Sequence, residues 1–115
     1  MMLTVYGLKK CSTCREATAL LKDKGIEHRF VDVRAEGIDE ASVGRFAGAM
    51  GLDRLLNRRG LMWRHIPAEE RTGLDKANSI ALMVRYPALI KRPVFDRDGV
   101  IKVGFTSEIR AWLTD

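Results

Sequence analysis

Residues 3–33 carry a strand–helix–strand pattern, which restricts the possible folds more than any other part of the sequence. The run Leu3-Thr4-Val5-Tyr6 favours a β-strand that ends at Gly7. From Cys11 to Lys24, apolar residues at positions 14, 17, 20 and 21 have the spacing of one helix face. A second strand begins at Ile26 and continues to Val33. Such a unit requires two parallel strands joined by a right-handed crossover, so the sequence predicts the α/β class.

The middle of the chain predicts two longer helices separated by an irregular segment. Asp39 is a candidate N-cap for a helix that ends at Gly51, and Asp75 for a helix that ends near Tyr86. Residues 52–72 are basic and are interrupted by Gly and Pro. This segment is therefore predicted to be a surface loop with short helical turns.

The last third of the chain predicts a hairpin and a final helix. Asp98-Gly99 is a turn signal between the β-prone runs Val94-Phe95 and Val100-Ile101-Lys102-Val103. Thr106 or Ser107 would cap the helix that follows. The order βαβ, helical insertion, ββα predicts a single thioredoxin-like α/β domain over residues 1–115, with a four-stranded mixed sheet.

Composition and charge restrict the setting in which the chain works. Its 115 residues, 46% hydrophobic and 30% charged, are typical of one globular domain. No apolar run approaches the roughly 18 residues of a membrane span, and the N-terminus lacks the pattern of a signal peptide. We therefore expect a cytoplasmic protein with no membrane partner. The net charge of +5 favours anionic partners, but aromatic residues are not interleaved with the basic ones, so direct nucleic-acid binding is not expected.

Two cysteines lie where the first strand passes into the first helix. Cys11 would occupy the N-cap region, where free backbone N–H groups and the positive end of the helix stabilise a thiolate. Lys9, Lys10 and Arg15 add positive charge nearby, which favours the same ionised form. Cys14 lies one turn further on and is placed to attack a mixed disulfide on Cys11 or to form a disulfide with it. This CxxC predicts thiol redox chemistry with Cys11 as the nucleophile.

Other interpretations of the two cysteines are weaker. A structural zinc site needs about four ligands, and only His28 and His65 remain as partners, at spacings unlike those of common zinc modules. No metal site is therefore predicted. Inert buried thiols are a second alternative, because Cys14 fits an apolar helix face. The flanks of Cys11 are polar and basic, which is unusual for a core position.

A basic segment before the predicted hairpin is a second candidate for the site. Lys91-Arg92-Pro93 directly precedes the strand Val94-Phe95. In a thioredoxin-like fold a proline turn at this place faces the nucleophile and pairs with a bound peptide. The alternative is an ordinary trans proline at the start of an edge strand, with Arg92 in solvent. Arg58 and Arg59 likewise fit either a solvated loop or an anion site.

Short segments spread along the chain form a specific pattern: Val5-Tyr6-Gly7-Leu8-Lys9-Lys10-Cys11, Leu55-Leu56-Asn57-Arg58-Arg59-Gly60, Trp63-Arg64, Pro87-Ala88-Leu89-Ile90-Lys91-Arg92-Pro93 and Val103-Gly104-Phe105. In these segments the sequence resembles the ArsC/Spx family of arsenate reductase-related proteins, and most closely its YffB-type members. The resemblance implies a thioredoxin-like fold with a helical insertion, Cys11 as nucleophile, Pro93 as a cis proline and Arg92 as an anion-binding residue. YffB-type proteins are regarded as glutathione-dependent thiol reductases, which suits a basic cleft.

The sequence departs from its relatives at two places. Arsenate reductases of this family place arginines in three segments around the nucleophile, whereas this chain has Asn57 in the first and Gly104-Phe105-Thr106 in the third. Arg92 is the arginine that clearly matches, and Arg58 or Arg59 could substitute for a second one by reaching in from the loop. Arsenate reduction is therefore expected to be poor or absent. Cys14 is the second departure, because Spx-type regulators carry a CxxC that switches their binding of RNA polymerase.

The residues and the resemblance together predict a glutathione-dependent thiol–disulfide oxidoreductase that has no bound cofactor and uses glutathione as co-substrate. Its partners would be glutathione, a glutathionylated or disulfide substrate, and glutaredoxin, and the chain would be a monomer. Either Cys14 or glutathione would resolve the mixed disulfide. The alternatives are a redox-switched regulator that binds RNA polymerase and a genuine arsenate reductase. The predicted catalytic residues are Cys11, Cys14 and Arg92, and the predicted glutathione-binding residues are Lys9, Lys10, Ser12, Thr13, Arg15, Arg58, Arg59, Arg92 and Pro93.

Overall fold

A mixed sheet organises the computed structural model, which describes residues 2–115. Within these residues the strands are β1 (Leu3–Gly7), β2 (Arg29–Asp32), β3 (Val94–Arg97) and β4 (Val100–Val103). Their order across the four-stranded sheet is β2-β1-β3-β4. β1 runs parallel to β2 and antiparallel to β3, and β3 runs antiparallel to β4. The predicted α/β class, βαβ unit, hairpin and mixed sheet are confirmed.

Helices connect the strands and cover the sheet. They are α1 (Ser12–Asp23), α2 (Glu40–Met50), α3 (Leu52–Leu55), α4 (Leu61–His65), α5 (Ala68–Arg71), α6 (Lys76–Arg85) and α7 (Ser107–Thr114), with a 3₁₀ turn at Pro87–Leu89. The short helices α3 to α5 fill the segment that the sequence predicts as a loop with helical turns. Asp39, Asp75 and Thr106 are the N-caps of α2, α6 and α7, each accepting a hydrogen bond from an N–H three residues on. Within residues 2–115, no helix has the length and apolar character needed to cross a membrane.

The two faces of the sheet bury separate apolar clusters. On one face, Leu3 and Phe95 pack with buried residues of α1 and α7. On the other, Val94 and Ile101 pack with buried residues of α2, α3 and α6. Successive strand residues point to opposite faces, so the neighbours Val94 and Phe95 join different clusters. The helical insertion therefore lies on the face opposite to α1 and α7.

The strand directions bring three segments together at one end of the sheet. Tyr6 near the end of β1 pairs with Val94 at the start of β3, and Val94 pairs with Val103 at the end of β4. The loop that leads to α1, the residues before β3 and the residues after β4 are consequently neighbours. The Arg92-Pro93 peptide bond at this end is cis, as the resemblance implied.

A buried carboxylate fixes the loop between β1 and α1. Asp32, at the end of β2, accepts hydrogen bonds from the N–H groups of Lys9 at 3.0 Å, Arg34 at 3.0 Å and Ala35 at 2.9 Å. The bond from Lys9 is the largest of the effects that lower the Asp32 pKa. This carboxylate therefore ties the loop that carries Cys11 to the neighbouring strand.

We predict that Asp32→Asn lowers the free energy of unfolding by about 1–3 kcal/mol at pH 7, because it weakens these partly buried, charge-assisted hydrogen bonds. The folded-state pKa of Asp32 lies below its unfolded value of about 3.9, so the carboxylate stabilises the fold above that pH and this contribution is lost as pH falls. Urea unfolding at pH 7 and near pH 3 measures both effects. The difference in free energy of unfolding between variant and parent should be smaller near pH 3. Asp23→Asn, at an exposed position, is the matched control, and a loss as large as that of Asp32→Asn would contradict the prediction.

Candidate functional site

Cys11 is the N-cap residue of α1. Its backbone is extended, with φ −80° and ψ 121°, and its carbonyl accepts the first helical hydrogen bond, from Arg15 N–H at 3.0 Å. Its own N–H donates to the carbonyl of Leu8 at 3.1 Å, which fixes the turn before the helix. The side chain is partly exposed. The thiol therefore lies at the positive end of the helix and is open to a ligand.

The pKa of Cys11 is lowered by specific neighbours. Burial has the largest single effect and raises the pKa, but it is outweighed by a hydrogen bond from the Cys14 N–H, one from the Cys14 thiol, and the hydrogen bond and charge of Arg92. The sequence analysis attributed the stabilised thiolate to N–H groups at the helix end, with Lys9, Lys10 and Arg15 as additional charges. The Cys14 N–H agrees with the first part, but the cation that lowers the pKa is Arg92. Both lysines and Arg15 are exposed. The Arg15 Nε also donates to the carbonyl of Lys9 at 2.8 Å.

Cys14 lies inside the molecule, with 1% of its surface exposed. Its sulfur packs on the backbone of Gly7, where an added Cβ would lie 2.5 Å from it. Burial first of all, and then the neighbouring Cys11, raises the pKa of Cys14 to about 11. Cys14 is therefore a protonated hydrogen-bond donor to Cys11 at neutral pH. Both cysteines are free, and they lie near enough to interact.

Arg92 is held by backbone carbonyls. Its Nη1 donates to Ala88 O at 2.7 Å and to Ile90 O at 3.3 Å. Its Nε is buried and has no hydrogen-bond partner among the residues that the structure describes. Pro93 is buried directly before β3, and its carbonyl accepts a hydrogen bond from Gly104 N–H at 2.8 Å. Arg92 thus presents a fixed positive charge beside the nucleophile.

A cavity of about 870 Å³ opens beside Cys11. Among its cationic wall residues, Arg92 was predicted and Lys91 belongs to the same basic segment, whereas Arg54 and Lys102 were not predicted. Among the residues that the structure describes, the cavity wall contains one acidic side chain, that of Glu108. The complete wall consists of Cys11, Thr13, Met50, Arg54, Asn57, Lys91, Arg92, Lys102, Val103, Gly104, Thr106, Glu108, Ile109 and Trp112. The excess of positive charge suits a ligand with anionic groups.

The helical insertion supplies one wall of this cavity through a short ladder. Leu56 pairs with Ile90 as an isolated antiparallel bridge. Asn57 N–H donates to Leu89 O at 2.7 Å, and Lys91 N–H donates to Leu55 O at 2.8 Å. These bonds hold the end of α3 against the segment that leads to Arg92. The insertion thereby brings Arg54 and Asn57 to the cavity.

The predicted site residues divide between this cavity and other places. Cys11, Thr13 and Arg92 line it together. Ser12, the first residue of α1, is exposed and is not part of its wall. Lys9 and Arg15, with Cys14, line a separate cavity of about 210 Å³.

The two loop arginines also lie outside the large cavity. Arg58 is exposed, pairs with Asp53 at 3.2 Å and lies 5.9 Å from the ring centroid of Trp63. Arg59 is exposed, and its N–H donates to Asn57 Oδ1 at 3.0 Å. Arg54, one turn earlier in α3, takes the place expected for them. No local sequence signal shows which of these three arginines reaches the cavity, because that depends on how the ladder positions the end of α3.

Comparison with known proteins places this chain in a family that is consistent with a reactive cysteine at this site. The model of the ArsC family matches residues 6–111. The chain belongs to the ArsC family. Within this family it is similar to a YffB protein of known structure, with 33% identity and a TM-score of 0.92 over 98% of this chain and 99% of the other. It is also similar to an arsenate reductase (ArsC) related protein from Brucella melitensis, with 39% identity and a TM-score of 0.74 over 94% and 90% of the chains.

A regulator is among the relatives as well. The global transcriptional regulator Spx of Enterococcus faecalis is 25% identical to this chain over 97% of it and 86% of the regulator. The resemblance to the ArsC/Spx family and to its YffB-type members is thus confirmed. ArsC family membership and the reactive Cys11 make the chain a thiol-based reductase or a thiol-based regulator.

We predict that Arg92→Ala raises the Cys11 pKa, because it removes a hydrogen bond and a positive charge from the thiolate. The rate of alkylation of Cys11, measured against pH, should move to higher pH in this variant. Lys10→Ala is the control, since Lys10 is exposed and adjacent in sequence, and it should leave the profile in place. An equal displacement in both variants would contradict the role of Arg92, and fast alkylation in Cys11→Ser at neutral pH would contradict the choice of nucleophile.

Proposed function

We propose that this ArsC-family chain is a glutathione-dependent thiol–disulfide reductase with Cys11 as its nucleophile. One observation carries the proposal: the Cys11 thiol, partly exposed and of lowered pKa, lies in the wall of a cavity with four cationic side chains among the described residues. The thiolate is the form of cysteine that attacks a disulfide. The cavity charge favours a substrate with carboxylates beside that disulfide.

The proposed reaction has two thiol exchanges. In the first, the Cys11 thiolate attacks the glutathione sulfur of a mixed disulfide between glutathione and a substrate thiol. The substrate leaves as a thiolate and takes a proton from water, and Cys11 is left bonded to glutathione. In the second, the thiolate of a reduced glutathione attacks that bound glutathione sulfur, which releases glutathione disulfide and restores the Cys11 thiolate. One substrate disulfide is reduced and two glutathione units are joined.

Glutathione matches the charges that line the cavity. At neutral pH it carries two carboxylates, which basic side chains of the cavity wall such as Arg54 and Lys91 can meet. Arg92 offers a buried Nε that has no partner within residues 2–115. A volume of about 870 Å³ is ample for a tripeptide, since pockets of roughly 300–1,000 Å³ hold ligands of drug size.

Reduced glutathione, rather than Cys14, is proposed to resolve the mixed disulfide. With its pKa raised to about 11, Cys14 is almost entirely protonated at pH 7. An ordinary thiol reaches a few per cent thiolate at this pH. Burial, rather than the charge of Cys11, is the largest cause of the raised pKa. In this scheme Cys14 stabilises the Cys11 thiolate by donating a hydrogen bond.

We predict that Cys14→Ser keeps its turnover of a glutathionylated substrate within about threefold of the parent, because a hydroxyl can still donate to the Cys11 thiolate. Cys11→Ser should show no turnover above background. Oxidation of NADPH by added glutathione reductase measures both rates. If Cys14→Ser is folded and as inactive as Cys11→Ser, Cys14 is the resolving thiol and this part of the proposal is wrong.

A redox-switched regulator is the second candidate, and the closeness of Cys14 to Cys11 favours it. Loss of two electrons and two protons to an oxidant would join the two sulfurs, and the disulfide would change the affinity for a partner such as RNA polymerase. The similarity to Spx supports this reading. A difference in RNA polymerase binding between the oxidised and reduced chain, together with no turnover, would favour the regulator.

Arsenate fits the site less well than glutathione. It is a compact oxyanion with two charges near neutral pH, and it would have to bind directly beside a thiolate. The cavity wall has the neutral Asn57, Gly104 and Thr106 where further cations would help. The Arg92 guanidinium already donates to two carbonyls. The cations of the cavity wall are spread out, so a larger ligand with separate carboxylates can pair with more of them than a compact oxyanion can.

A further inference from the structure

The Cys11 cavity continues across the sheet to its far edge. Cys11 follows β1, whereas Val103 and Trp112 in the same wall belong to β4 and α7. β4 is two places from β1 in the sheet. Since neighbouring strands lie about 4.8 Å apart, this part of the cavity is roughly 10 Å from the end of β1. A tripeptide bound at Cys11 and Arg92 and directed toward Arg54 and Asn57 of the insertion would leave this part open.

β4 is an edge strand, and its outer side has no neighbouring strand within residues 2–115. The hydrogen bond from Gly104 N–H to Pro93 O, at 2.8 Å, directs residue 104 toward β3. Along an antiparallel strand the N–H and C=O groups of successive residues point alternately toward and away from the neighbouring strand. Those of Lys102 therefore point toward β3, where Phe95 is its partner. The N–H and C=O groups of Ile101 and Val103 therefore point away from the sheet.

Of these two outward-directed residues, Val103 is the one in the cavity. Ile101 is buried with 7% exposed and is not part of the cavity wall. Val103 is partly exposed and lines the cavity. Within the described chain, no backbone or side-chain hydrogen bond outside the ladder is made to its N–H or C=O. An open donor and acceptor on one residue are the groups to which an added strand binds.

The walls on either side of this edge suit the side chains of an extended chain. Ile109 and Trp112 of α7 lie on one face of the sheet, and Met50 of α2 lies on the other. Because successive side chains of a strand point to opposite faces, an added strand would place them alternately against these two walls. A small thiol has neither the backbone nor the side chains to use them.

We propose that the substrate is a polypeptide and that the extended segment carrying its glutathionylated cysteine pairs with Val103 on the free edge of β4. The inference rests on the proposed function and names its substrate class. The glutathione moiety occupies the basic part of the cavity near Arg92, and the polypeptide occupies the part between α2 and α7. The bond to be broken lies between the two, at Cys11.

Amide hydrogen exchange tests the pairing directly. A ¹⁵N-labelled Cys11→Ser protein is saturated with a glutathionylated peptide, which it binds without reaction. Exchange of the Val103 N–H should slow by about tenfold or more, because it gains an acceptor. The Lys102 N–H is the internal control, since it is already bonded to β3, and its rate should not change. Glutathione disulfide, added instead of the peptide, should leave Val103 unprotected.

Turnover of modified substrates by the unmodified protein gives a second measurement. Peptides with one N-methyl group at successive positions should show a KM raised about tenfold where the methyl group removes the paired N–H, and little change at the next position. The mixed disulfide of glutathione and 2-mercaptoethanol is the small control substrate. Three results together would overturn this inference and leave the proposed function intact. The protein would turn over both the peptides and the control substrate, amide exchange at Val103 would not slow, and no N-methyl group would raise KM. No turnover of either substrate class would overturn both.

Discussion

The Cys11 thiolate is partly withdrawn from water, and the site is built around the groups that compensate for this. Burial alone would raise the pKa of the thiol, but the N–H and thiol of Cys14 and the guanidinium of Arg92 reverse that effect. Two of these donors come from the first turn of α1, and the third comes from the segment before β3. The sheet order, which brings the end of β1 beside the start of β3, is therefore the condition for a reactive thiol.

The helical insertion supports the same arrangement from the other side. Carbonyls in the segment before β3 fix Arg92, and the ladder between Leu56 and Ile90 joins that segment to the end of α3. Through this ladder the insertion also contributes Arg54 to the cavity. The insertion thus both holds the cation beside the thiol and extends the basic wall that a charged substrate would meet.

Features set by local pattern could be predicted from the sequence, and features set by packing could not. Strand alternation, helix periodicity and caps such as Asp39 gave the order of elements, and the strand-to-helix junction identified Cys11 as the thiol at the helix N-terminus. The charges around it were predicted less well. Lys9 and Arg15 are near in sequence but line another cavity, whereas Lys102 is distant in sequence and shares the Cys11 cavity because β4 ends at the same side of the sheet.

If Cys11 exchanges with glutathione while Cys14 stays a protonated donor, glutathione disulfide should distinguish the two thiols. Mass spectrometry of the intact protein and its peptides, after brief exposure to glutathione disulfide at neutral pH, measures this difference. We expect one glutathionyl group on Cys11, removed by reduced glutathione, with Cys14 unmodified. Attachment to Cys14, or no attachment under conditions where Cys11 is alkylated, would contradict it.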